Sequence, residues 1–69
     1  MKNTKYPEVV NQMELHNEKL QDIANLLNHN YTSQVCRRLM GRIEWTINEA
    51  KILCKHYNMK FEKLFREED

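Results

Sequence analysis

The chain has 69 residues and a net charge of +1, room for one domain and one modest core, because a chain this short hides only about 60% of the surface its unfolded form exposes. One glycine and one proline leave little for tight turns, and the abundance of Leu, Glu, Lys, Gln and Asn favours helix over strand, so the expected fold is all-α. No apolar run approaches the roughly 18 to 20 residues of a membrane span, and Met1 to Lys5 lead into no apolar signal segment, which makes the cytoplasm the expected location. Cys36 and Cys54 lack CxxC spacing and are then expected as thiols.

In chain order, Pro7 suits a first helical turn, where its missing N–H has no partner to lose, and Val9, Val10 and Met13 follow at helical spacing. Helix 1 is predicted over about Pro7 to His16. Leu20, Ile23, Ala24 and Leu27 form one apolar stripe of a second helix, about Lys19 to Leu27. Asn28, His29, Asn30 and Tyr31 break the pattern with residues that tolerate a turn or a left-handed backbone. Thr32 or Ser33 can cap a third helix that runs to Met40, where Gly41 offers the usual helix-ending conformation. Thr46 and Glu49 then fit a capping box, with Trp45 and Ala50 at staple positions. Ile47, Ala50, Leu53, Cys54 and Tyr57 are predicted to share the buried face of helix 4, with Ile52 on its far side. Asn58 ends that helix, Phe61 to Phe65 read as a short fifth one, and Glu67 to Asp69 as a frayed tail. There is no internal repeat, linker or low-complexity stretch, so residues 1–69 form one domain, with an ordered core expected over about 6–66.

Charge is unevenly spread. Residues 31–43 hold Arg37, Arg38 and Arg42 and no acid, whereas residues 61–69 are net acidic. At about 100° per residue, Val35 and Leu39 of helix 3 point together into the core. Ser33, Gln34, Arg37 and Met40 then make the outer face, with Arg37 about 180° from the apolar direction. Such a face suits the DNA major groove, where Arg bonds guanine O6 and N7 and Gln bonds adenine. The same residue types also suit an ordinary solvated helix.

The run Ile23-Ala24-Asn25-Leu26-Leu27-Asn28, a turn, and Val35-Cys36-Arg37-Arg38-Leu39-Met40-Gly41 resembles the helix-turn-helix of Cro/cI-type (XRE) regulators. Trp45-Thr46-Ile47-Asn48-Glu49-Ala50, Leu53, and Lys60-Phe61-Glu62-Lys63-Leu64-Phe65 resemble that family's fourth and fifth helices, so the likeness covers about Pro7 to Phe65. The resemblance implies a compact five-helix lambda-repressor-like bundle whose helix 3 enters the major groove while helix 2 lies across the backbone. By position it implies base contacts from Thr32, Ser33 and Arg37, with Gln34 beside them. Phosphate contacts are expected from Lys19 and Gln21, which flank Leu20, and from Tyr31, Arg38 and Arg42. Three features depart from the family pattern: a longer turn with Asn28 where Gly is common, Leu20 where a polar residue is common, and Glu44 in a loop expected near phosphate.

The expected function is therefore a sequence-specific double-stranded DNA-binding regulator, repressor-like and, by analogy, of phage or prophage type. The alternative is a protein-interaction module, adaptor-like or antitoxin-like, on the same fold. His16, His29, His56 and the two cysteines show no short metal-ligand spacing, and 69 residues of helix offer little room for a catalytic pocket. No metal, cofactor, small-molecule ligand or enzymatic activity is expected. Cys54 reads as a small core residue and Cys36 as a thiol beside the outer face, open to oxidation. Trp45 reads as a staple before it reads as a base-stacking residue. Ile52, Phe61 and Phe65 suggest a homodimer patch that would set two reading helices about 34 Å apart on DNA.

Overall fold

The computed structural model describes residues 4–68 and is all-α, with no strand among them. The helices are α1 (Pro7–Leu15), α2 (Leu20–Leu26), α3 (Thr32–Leu39), α4 (Ile47–Tyr57) and α5 (Phe61–Leu64). Pro7 opens α1 as expected. One core is built from the periodic apolar residues: Val9, Ile23, Ala24, Val35, Leu39, Leu53 and Leu64 are wholly enclosed, and Met13, Leu27 and Tyr57 nearly so. Aromatic rings close one end of it. Trp45 meets Tyr6 and Phe65 edge-on, at 6.2 and 5.5 Å between centroids, an arrangement that adds a little to plain burial.

Four of the helices end alike. Asn17, Asn28 and Asn58 have φ of 55°, 62° and 53°, and Gly41 has φ of 80°. Behind each, the next residue's N–H reaches back to a carbonyl five positions earlier: Glu18 to Met13, His29 to Ala24, Arg42 to Arg37 and Met59 to Cys54, at 2.8 to 3.0 Å. These are Schellman closures, which satisfy carbonyls that a helix end otherwise leaves bare. Asn serves at three of them because its side chain makes the left-handed backbone tolerable. Asn28, Gly41 and Asn58 are legible as stops in the sequence, whereas Asn17 is not.

At Gly41 space matters as well as φ. A Cβ there would stand 2.6 Å from Lys5 Cδ. Gly41→Ala should therefore destabilise the protein by about 1 to 2 kcal/mol, combining left-handed strain with displacement of Lys5, read as a lower midpoint in urea unfolding. A neutral result would mean that the end of α3 relaxes freely.

α4 sits differently from the expectation. Ile47 is 78% exposed, while Ile52 is half-buried against the core. The buried arc is Glu49, Leu53, Tyr57 and Ala50, turned by about 50° from the arc that the apolar residues alone define. The cause is Glu49, a carboxylate that goes inside because it is fully paired, as described below. Phe65 is buried and Phe61 is 62% exposed, so the Ile52, Phe61 and Phe65 patch does not exist as such. The tail is also tied down up to Glu68, whose N–H bonds Lys5 O at 2.9 Å, while Glu67 pairs with Lys5 Nζ at 3.2 Å. Asp69 lies outside the described residues.

Candidate nucleic-acid interface

α2 and α3 are joined by Leu27 to Tyr31 and form the most extensive helix pairing in the molecule. Asn28 turns the chain and Tyr31, in extended backbone, leads into α3. The N-cap is Tyr31, not Thr32 or Ser33, and no side chain caps the first turn. Both hydroxyls lie inside the helix instead, and the orphan N–H groups of that turn are left to solvent or a ligand.

α3 is held from three directions. Val35 and Leu39 seat it in the core. At its C-terminal end, the Leu39 carbonyl accepts from Thr4 Oγ1 at 2.9 Å and from the Lys5 N–H at 2.7 Å. Thr4, buried, also accepts from the Tyr6 N–H, so the segment before α1 clips the end of α3. The third hold is ionic. Glu49, 6% exposed, accepts at Oε1 from Arg38 Nε and from the Thr46 N–H, both at 2.9 Å, and its Oε2 meets His29 Nε2. Thr46 Oγ1 accepts from the Glu49 N–H at 3.1 Å, completing the capping box. One carboxylate thus joins the α2–α3 turn, α3 and the start of α4. Burial by itself would raise the Glu49 pKa; the Thr46 N–H, His29 and the Arg38 guanidinium outweigh it and hold the carboxyl below its ordinary value.

This changes the reading of Arg38. It was expected to contact phosphate, yet it is 8% exposed, and its Nη1 donates to Gln34 O at 3.0 Å. Its charge is used inside the protein. The same Nη1 lies 3.4 Å from Gln34 Oε1, which draws the amide oxygen of half-buried Gln34 inward and leaves the amide N–H groups as its outward donors.

The other candidates lie as follows. Ser33 and Arg37 are exposed on the outer face of α3, and Thr32 and Met40 are half-buried. Arg37 makes no ion pair among the described residues. Lys19 and Gln21 are exposed at the start of α2, where Gln21 Nε2 donates to Asn25 Oδ1 at 2.9 Å. Tyr31 is 70% exposed in the turn, and Arg42 is exposed in the loop after α3. Sequence reasoning missed Thr4, His29 and the second oxygen of Glu49. The one available signal was the capping box, since a Glu at that position has an oxygen to spare.

The remaining polar residues serve the scaffold. Glu18 accepts from Tyr57 Oη at 2.6 Å and pairs with His56 at 2.6 Å, joining the α1–α2 link to the end of α4. Burial raises the Cys54 thiol pKa, and Cys36 Sγ rests 3.7 Å from Met40 Sδ. No group of three metal-ligating side chains converges among the described residues. The Trp45 indole N–H is buried, and the ring packs edge-on against Tyr6 and Phe65. Comparison of the chain with protein-family models, with curated proteins and with solved structures finds no match.

Proposed function

We propose that the chain is a sequence-specific double-stranded DNA-binding regulator of Cro/cI type, acting in the cytoplasm, with α2 and α3 as its helix-turn-helix. The observation that carries this reading is α3 itself: a helix fastened to the core, to Glu49 and to Thr4, with an uncapped first turn and with Ser33 and unpaired Arg37 facing out. Rigid placement of that kind is what base reading requires, since a misplaced donor loses its bond. An exposed Arg on a helix of groove width is the commonest reader of guanine.

Arg37 reads guanine O6 and N7, Ser33 makes a less selective contact, and Thr32 supports the first turn. Gln34, with its oxygen drawn toward Arg38, works as a donor toward a guanine or thymine acceptor or a phosphate, not as the two-way partner of adenine. Lys19, Gln21, Tyr31, Arg42 and the free N–H groups of α3 bind phosphate. Burial of Arg38 takes one cation off this surface. That favours a second reading, an interaction module on the same scaffold.

Selection from a random duplex pool, followed by affinity against salt, separates the two. A regulator should enrich a motif containing guanine and show a log-log salt slope of roughly −2 per protomer, for Lys19 and Arg42. No enrichment, with weak binding even at low salt, would leave the interaction module standing.

A further inference from the structure

Cys36 and Met40 stand one turn apart at the end of α3, where the Met40 N–H bonds the Cys36 carbonyl at 3.0 Å. That spacing puts both side chains on one side of the helix, and the Cys36 thiol donates to Met40 Sδ with 3.7 Å between the sulfurs. The thiol is therefore paired with a second soft donor. Both residues are half-buried, held by the protein yet open to solvent. No hard donor joins them. Among the described residues no three of His, Cys, Asp and Glu converge. His29 is taken by Glu49 and His56 by Glu18, and residues 31–43 hold no acid. The charge next to Cys36 is that of Arg37, exposed and without an ion-pair partner among the described residues.

We propose that Cys36 and Met40 form a binding site for a soft monovalent cation, copper(I). A thiolate with a thioether, and neither imidazole nor carboxylate, is a donor set for copper(I); zinc takes three or four protein ligands and magnesium takes oxygen. Charge points the same way. One thiolate neutralises a monovalent ion, whereas a divalent ion would leave a positive charge beside Arg37. With metal–sulfur bonds of about 2.3 Å, one ion reaches both sulfurs at an S–metal–S angle of roughly 110°. Binding exchanges the ion for a proton: the Cys36 S–H bond breaks, the proton goes to solvent, and Sγ binds as thiolate while Met40 Sδ gives a lone pair. No electron changes hands. The ion ties two successive turns at the end of α3 that Thr4 also holds. The proposal does not depend on DNA reading, because the titration that tests it contains no DNA.

In Cys54→Ser protein Cys36 is the one remaining cysteine. Titrated without oxygen, this protein should withdraw one copper(I) per chain from a coloured copper(I) chelator. X-ray absorption at the copper edge should show two sulfur neighbours at about 2.3 Å. Cys36→Ser should abolish binding. Losing a group that merely orients a metal ligand costs about 10- to 100-fold in affinity, so Met40→Leu, which removes a ligand outright, should weaken binding by at least about tenfold. Helical circular dichroism should be unchanged in both variants, and equimolar zinc(II) should not compete. Copper(I) left on the chelator would overturn the proposal, as would a single sulfur neighbour. Undiminished affinity in Met40→Leu would reduce the site to a bare thiol and overturn it also, and displacement by zinc(II) would overturn the choice of ion.

Discussion

Replacing Glu49 with Gln should destabilise the protein by about 3 to 5 kcal/mol, because it strands the Arg38 guanidinium in the interior without a counter-charge. For a chain of this size that approaches the whole folding free energy, so the variant should be largely unfolded at 25 °C by circular dichroism. Gln can still accept from the Thr46 N–H, since Gln also fits a capping box; the loss therefore reports the charge and not the cap. Adding Arg38→Met should recover part of the loss by removing the orphan cation, and the double-mutant cycle measures that coupling. A loss below about 1 kcal/mol for Glu49→Gln would mean that water reaches Arg38 and that the carboxylate does not hold α3.

The same carboxylate sets a pH dependence. Its folded pKa lies below the ordinary 4.5, so folding favours the charged form. The stability it contributes is fully present above about pH 4.5 and is lost as the pH falls through the lower folded value. Wild type should weaken through that acid window, and the Arg38→Met, Glu49→Gln variant should lose this component of the slope. A slope unchanged by the double substitution would place the acid sensitivity elsewhere.

Much of this scaffold is legible from local signals, because those signals act within a few residues. Pro7 starts α1, Gly41 ends α3, Thr46 and Glu49 cap α4, and Val35 with Leu39 orient α3 so that Ser33 and Arg37 face out. What hides from the sequence is pairing across the fold. Arg38 lies only about 80° from the direction of Val35 and Leu39 on the helical wheel, at the margin of the core, and whether it turns in or out depends on a carboxylate 11 residues away. Once Glu49 is drawn inside by Arg38, His29 and Thr46, α4 must roll to follow it, exposing Ile47 and bringing Ile52 inward. An apolar wheel treats Glu49 as a surface residue and so misplaces both. Thr4 is harder still: one hydroxyl ahead of any periodic pattern gives no hint that Leu39 is its partner, 35 residues on.

The inward turn of Arg38 sharpens what the two outward arginines should do. Arg37→Ala removes the only α3 cation that remains exposed. If it bonds a guanine edge, affinity for the selected site should fall by about 1 to 3 kcal/mol, roughly 5- to 150-fold, and preference should relax at one base position per half-site. Arg42→Ala, in the loop after α3, should instead weaken all sequences alike and reduce the salt slope by about 1. Neither side chain has an ion-pair partner among the described residues, so both variants should stay within about 0.5 kcal/mol of wild-type stability and the comparison is free of unfolding. Lys at position 37 is the stricter probe: it keeps the charge but not the two-pronged geometry. Arg37→Lys should therefore retain the salt slope while losing most of the preference for guanine. Equal loss of affinity on all sequences for Arg37→Ala, or full retention of preference in Arg37→Lys, would move Arg37 from base to phosphate and require α3 to approach DNA by another face.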